Sequence, residues 1–158
     1  MLRIRHAVRE DTPLILDFIR QLAEYEKLSH EVIATEQTLS DSLFCDNPKG
    51  FCVIAEWNGA PVAFALYFYN FSTFLGKTGI YLEDLFVKPE MRGKGIGKSI
   101  LKYLAQKAKA EGCGRLEWWV LDWNTPSIEF YKSLGAVAMD EWTVYRVTGK
   151  ALDELANS

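Results

Sequence analysis

Cysteine, histidine and proline are scarce in this chain, and each scarcity removes a class of function. The three cysteines, Cys45, Cys52 and Cys113, form no Cys-x-x-Cys pair and are odd in number, so they read as buried thiols, not as disulfides or a metal-binding set. The two histidines, His6 and His30, stand far apart with no His-x-x-His or His-x-x-Glu spacing, which leaves zinc chemistry and a Ser-His-Asp triad without material. His6 is expected simply to end a strand. Only five prolines in a chain that is 49% apolar argue against disorder and repeats. No apolar run is long enough for a signal peptide or a membrane span, so the expectation is a cytoplasmic protein that does not meet a membrane. Positive charge is not in excess either: a formal net charge of −3 argues against general nucleic-acid binding and favours a cationic partner. A length of 158 residues predicts a single domain over 1–158.

What is present concentrates between Ile80 and Ser99. An apolar, β-rich run from Ile80 to Val87 is ended by Pro89, which cannot donate to a sheet ladder. Arg92-Gly93-Lys94-Gly95-Ile96-Gly97 follows, and then Ile96, Ile100, Leu101, Leu104, Ala105 and Ala108 recur at helical spacing. Glycines between a strand and a helix let backbone approach a ligand, and the first helical N–H groups lack internal acceptors, so the segment reads as a phosphate cradle. The nucleotide P-loop pattern is missed by one residue, because Arg92 replaces its first glycine. The dinucleotide pattern would need glycine at Lys98.

Around this centre the chain reads in order. Leu2 to Ala7 alternates as a strand, and Thr12-Pro13 starts a helix whose apolar face is Leu14, Ile15, Phe18, Ile19, Leu22 and Ala23. A short helix is predicted from Thr35 to Phe44. Phe51 to Trp57 and Ala60 to Tyr69 flank Asn58-Gly59, a strong hairpin signal. A loop over Phe71 to Gly76 leads to a strand over Lys77 to Val87, and the long helix follows the glycine turn. Arg115 to Leu121 reads as a strand, Ser127 to Leu134 as a helix and Ala138 to Val147 as a closing strand.

Residues 92–97 fit Arg-x-x-Gly-x-Gly completely. That is the pyrophosphate-binding motif of the GNAT superfamily of acetyl-CoA-dependent N-acetyltransferases, which the chain resembles. The order of elements is also that of the GNAT fold, an α/β (α+β) architecture with a mixed, mostly antiparallel central sheet of splayed strands flanked by helices. Leu82 to Val87, Trp123 to Lys132 and Leu22 to Glu26 together resemble the diamine (spermidine/spermine) N-acetyltransferase subfamily, whose members look much like enzymes acting on thialysine and related lysine-like amines.

The chemistry can be argued from the residues. A lysine-like amine has a pKa of about 10.4, so only about one molecule in 2,500 is the neutral nucleophile at pH 7. A carboxylate in a cleft can take its proton, and Glu83 and Asp84 are the candidates. Side chains alternate along a strand, so both line the site only if a bulge re-aims one, as the resemblance suggests. The resemblance further implies Tyr131 as the acid for the leaving thiolate. It assigns acetyl-CoA to the backbone of Leu85, Phe86 and Val87, to Arg92, Gly93, Lys94, Gly95, Ile96, Gly97 and Lys98, and to Asn124, Ser127 and Lys132. For the amine it implies Tyr25, Glu26, Glu83, Glu117, Trp118, Trp119, Glu141 and Trp142, where aromatic rings beside carboxylates suit an ammonium chain. No metal is expected, and a homodimer is implied. The main expectation is acetyl transfer to a small diamine or polyamine, with a thialysine-like amino acid as the alternative acceptor. A P-loop NTPase and a non-catalytic CoA-binding module remain the other classes.

Overall fold

The alternating N-terminal run forms β1 (Leu2–His6), the outer strand of a five-stranded sheet whose spatial order follows the chain. A computed structural model describes residues 1–158 as two compact units, 1–121 and 122–158. In the first unit, β1 is followed by α1 (Thr12–Tyr25), α2 (Glu36–Leu43), β2 (Phe51–Trp57), β3 (Ala60–Ser72), β4 (Lys77–Val87), α3 (Ile96–Ala110) and β5 (Leu116–Trp118). Strands β1 to β4 pair antiparallel and β5 joins β4 in parallel.

Local chemistry accounts for the connections. Asn58 and Gly59 both adopt positive φ, 51° and 85°, the conformation of the tight turn that joins β2 to β3. The Thr35 hydroxyl accepts from the Thr38 N–H at 3.1 Å and caps α2. Helix α1 begins one residue earlier than the Thr12-Pro13 signal suggests. Asp11 is its N-cap, held by Arg5 at 2.8 and 3.0 Å, and Thr12 is its first helical residue.

One face of the sheet packs Cys52, Ile54, Phe64 and Phe86 against Ile15 and Phe18 of α1 and Leu43 of α2, with the Phe18 and Phe64 rings stacked 5.3 Å apart. Burying each such side chain contributes about 1.5–3 kcal/mol. On the other face, Val53, Ala55, Ala63, Ala65, Ile80 and Leu82 are buried, and α3 lies over β3 and β4 with Ile100 and Leu104 fully buried.

Several expectations need correction. The strand predicted over 115–121 is only Leu116–Trp118, because β4 offers a regular parallel edge only as far as Leu82. Strand β3 runs three residues further than predicted, to Ser72, and the remaining turn closes at Gly76 with φ 65°. Cys52 is buried as expected, but Cys45 is exposed and Cys113 half-buried.

The second unit, taken by itself, contains α4 (Thr125–Ser133) and α5 (Gly149–Ala156), the latter not anticipated. No strand forms over 138–147. That run alternates in character, but its unit holds no other strand to complete a ladder, and Val144 and Tyr145 stand exposed. No helix of the chain is long and apolar enough to cross a membrane.

Candidate active site

The site is built on an irregularity in β4. Leu66 of β3 faces Asp84, yet the next residue, Tyr67, faces Leu82, so Glu83 is an extra residue on β4. This is the expected bulge. Leu66 packs on the face covered by α1 and α2, so Asp84 opposite it shares that face, while Leu82 stays on the α3 face. The parallel pairing with β5 ends at the same place, with Leu82 opposite Trp118. Beyond the bulge β4 therefore has no strand on that side within its unit.

Which backbone groups face this open edge follows from the ladder. The Lys88 N–H donates to the Val62 carbonyl at 2.9 Å, flanking the Ala63–Val87 pair. Val87 and Leu85 thus occupy non-hydrogen-bonded positions relative to β3 and turn their N–H and C=O groups to the open side, whereas Phe86 exchanges its bonds with β3. The Phe86 side chain is buried in the core, and Leu85 and Val87 are half-buried.

Three carboxylates converge at the bulge. Burial, reinforced by the charges of Glu83 and then Glu26, pushes the Asp84 carboxyl up to about 7. Burial and the charge of Glu83 also raise Glu26, at the C-terminal end of α1. Glu83 itself is exposed and is the charge common to both neighbours. No group of three His, Cys, Asp or Glu residues is arranged to hold a metal ion.

The glycine turn lies at the end of the same strand. Gly93 and Gly95 both have φ of 80°, and a Cβ built on either would meet no atom within 4 Å. The first bond of α3 is donated by the Ser99 N–H to the Gly95 carbonyl, so the amides from Gly93 to Lys98 find no backbone acceptor. An open cradle of six amides at a helix N-terminus fits a diphosphate. Lys98 is exposed on the first turn of α3. The other two cations of the motif lie over aromatic rings: Lys94 Nζ is 5.7 Å from the Trp57 ring centroid, and the Arg92 guanidinium is 4.9 Å from Tyr25 and 5.6 Å from Phe86.

The remaining acceptor candidates of the first unit fall on β5. The Glu117 Oε1 accepts from the Asn70 amide at 2.9 Å and sits 2.9 Å from Arg115 Nε, so it is held within the sheet face. Trp118 is half-buried opposite Leu82, and Trp119 is exposed, its ring meeting Tyr81 edge-on at 5.7 Å. Tyr81 in turn packs on Phe68 at 4.8 Å. Sequence reasoning named Trp119 but missed Tyr81 and Phe68, which join it in an aromatic strip on the face of the sheet that carries Asp84. Its signal was the regular alternation of Phe68 with Leu66 along β3, which the bulge in β4 disguises on the partner strand.

In the second unit, the Asn124 side chain accepts from the Ser127 N–H at 3.4 Å and caps α4. The Tyr131 ring lies 5.7 Å from Phe130, and Lys132 is exposed in the last turn. Glu141 and Trp142 are exposed in the irregular stretch before α5, with the Trp142 N–H donating to the Met139 carbonyl at 3.2 Å.

Comparison with known proteins agrees with this geometry. The sequence pattern of the acetyltransferase (GNAT) family matches residues 17–136. A thialysine N-epsilon-acetyltransferase of Bos taurus is 43% identical, covering 97% of this chain and 96% of its own. A human spermidine/spermine N(1)-acetyltransferase-like protein 1 is 35% identical over 98% of this chain but only 24% of its own length. Among solved structures, an integron cassette protein from the mobile metagenome of V. cholerae superposes with a TM-score of 0.81 at 30% identity, covering 99% of this chain and 98% of that one.

Proposed function

This chain belongs to the acetyltransferase (GNAT) family and is an acyl-CoA-dependent N-acetyltransferase, and we propose that its acceptor is the terminal primary amine of a lysine-like amino acid such as thialysine. The similarity to thialysine N-epsilon-acetyltransferases over nearly the whole of both chains supports this acceptor over the diamine expected from sequence. A polyamine is the second reading, supported by the spermidine/spermine acetyltransferase-like relative. A cytoplasmic homodimer, the setting and assembly implied by the resemblance, completes the proposal.

The observation that carries the mechanism is Asp84 held near neutrality on a bulge between two other carboxylates. At pH 7 a group with a pKa of about 7 is half ionised, so Asp84 can accept the ammonium proton. Losing that proton to water at pH 7 would cost about 4.6 kcal/mol for an amine of pKa about 10.4. Glu83 and Glu26 keep negative charge around the incoming cation and thereby hold Asp84 basic. The aromatic strip of Tyr81 and Trp119 carries the aliphatic chain and attracts the cation through the ring quadrupoles.

The amides of Gly93 to Lys98, with Lys98, hold the diphosphate of acetyl-CoA, and the edge groups of Leu85 with the Val87 N–H pair with its pantetheine as an added strand would, the Val87 carbonyl being taken by Arg92 Nε. Such an edge N–H also stabilises the oxygen of the thioester carbonyl as charge develops there. The neutral amine attacks that carbon: a C–N bond forms, the C–S bond breaks, Tyr131 gives the departing thiolate its proton, and the second proton that the nitrogen loses as the amide forms passes through solvent to restore the Tyr131 hydroxyl. Asn124, Ser127 and Lys132 keep the cofactor contacts implied for them. The products are the N-acetyl amine and CoA.

A panel of amines with acetyl-CoA, followed by CoA release in the wild type and in Glu83→Gln, Asp84→Asn and Tyr131→Phe variants, tests the reading. Thialysine ranking above spermidine, with turnover falling by about 10²-fold or more in Asp84→Asn, supports it. Spermidine above thialysine selects the second reading, and CoA binding without transfer to any amine rejects both.

A further inference from the structure

Arg92 stands first in the diphosphate-loop motif, yet its side chain, although exposed, is folded back onto the protein's own groups. Its Nε donates to the Val87 carbonyl at 3.1 Å, and its guanidinium lies over the rings of Tyr25 and Phe86 at 4.9 and 5.6 Å. These contacts tie three things together: the residue next to Gly93, the open edge of β4, and the C-terminal end of α1. Tyr25 is followed by Glu26, whose carboxyl shares the field of Glu83. On the loop side, nothing in the protein packs where side chains at Gly93 or Gly95 would stand, so the turn is open to a ligand on that side.

We propose that Arg92 is a positioning residue that couples the loop to the acceptor end of α1, and not a diphosphate ligand, so that CoA and the amine bind with positive coupling. The proposal rests on the assignment of these two sites above. Ordering the turn fixes the backbone from which Arg92 projects, and Arg92 in turn fixes the ring beside Glu26. Whichever ligand binds first removes part of the ordering the second must impose, and the coupling is equal in both directions. A guanidinium can hold a carbonyl with Nε while presenting its flat face to rings, whereas an ammonium makes one such contact at a time.

Calorimetry with CoA in place of acetyl-CoA, so that no turnover occurs, reads the coupling directly when thialysine is titrated into the enzyme with and without saturating CoA. In the wild type, CoA is expected to tighten thialysine binding by about fivefold or more, and thialysine to tighten CoA by the same factor. In Arg92→Met the factor falls to about one while CoA affinity alone changes by less than about threefold. Arg92→Lys, which keeps the charge, behaves alike and serves if the methionine variant does not fold. Tyr25→Leu gives the same loss, and the double variant Arg92→Met/Tyr25→Leu is no worse than either single one, because both remove one contact.

A drop in CoA affinity of about tenfold in Arg92→Met with the coupling intact, or additive losses in the double variant, overturns the proposal. A wild type that acetylates amines but shows no coupling overturns it alone. A wild type that binds CoA and acetylates nothing overturns instead the functional reading on which it rests.

Discussion

Leu82 and Asp84 stand two residues apart on one strand and face opposite sides of the sheet, because Glu83 is an extra residue between them. In a regular strand they would share a face. Either Leu82 would leave the α3 core or the carboxyl of Asp84 would enter it. The bulge lets one short segment serve the core and the chemistry together.

Deleting Glu83 should therefore leave a foldable protein that does not work. With the extra residue gone, Leu82 and Asp84 become neighbours on opposite faces of a regular strand, and both keep their sides. The midpoint of urea unfolding is expected to shift by no more than the equivalent of about 2 kcal/mol, since one exposed residue and a local kink are lost. Turnover should fall by about 10²-fold or more, because the Glu83 carboxylate is lost from beside Asp84 and the edge beyond it straightens. An active deletion variant would show that the bulge is not required.

The pH dependence follows from Asp84. Its free-enzyme pKa of about 7 predicts that kcat/KM rises with pH through that value, as the base becomes ionised. Asp84→Asn should abolish that limb along with most of the activity. Stability runs the other way. The folded carboxyl binds its proton more tightly than the unfolded one, whose value is near 3.8, so stability falls as pH rises from about 4 to about 7. Asp84→Asn should accordingly stabilise the protein at pH 8 by about 1–2 kcal/mol once solvent relaxation is allowed for, and change little at pH 4. Thermal unfolding at the two pH values checks the sign.

Gly95→Ala tests the loop. At φ of 80° an alanine is strained by about 1–2 kcal/mol, although there is room for its Cβ. The loop is expected to rearrange and the KM for acetyl-CoA to rise by about tenfold, with kcat changed far less. An unchanged KM would remove this turn from cofactor binding.

Gly79→Ala tests packing beyond the site. A Cβ there would stand 2.6 Å from Asn70 Oδ1, 3.0 Å from Arg115 Cγ and 3.2 Å from the Arg115 carbonyl. Asn70 and Arg115 are the groups that hold Glu117. Displacing them should cost about 1–3 kcal/mol in denaturant unfolding and loosen the acceptor side without affecting CoA affinity.

Much of this was legible in the chain itself. The order of elements, the Asn58-Gly59 hairpin, the strand–glycine–helix cradle and the pairing of Glu83 with Asp84 as candidate bases all rest on local conformational preferences that travel with the residues. The failures are of one kind. The run 138–147 has the alternation of a strand, but a strand exists only with a neighbour, and its unit supplies none. Strand β5 stops at Trp118 because its partner bulges, an event on another segment. Likewise, no local rule says that Arg92 turns to Tyr25, 67 positions away in the sequence, or that Glu26 lends its charge to Asp84. The sequence by itself determined which segments curl, extend or turn and which atoms could carry a proton or cradle a phosphate. Only the tertiary structure decided which carboxyl is raised toward neutral pH and which aromatic rings the cations of the glycine turn meet, because proton affinity and side-chain orientation depend on burial and on charges contributed by distant parts of the chain.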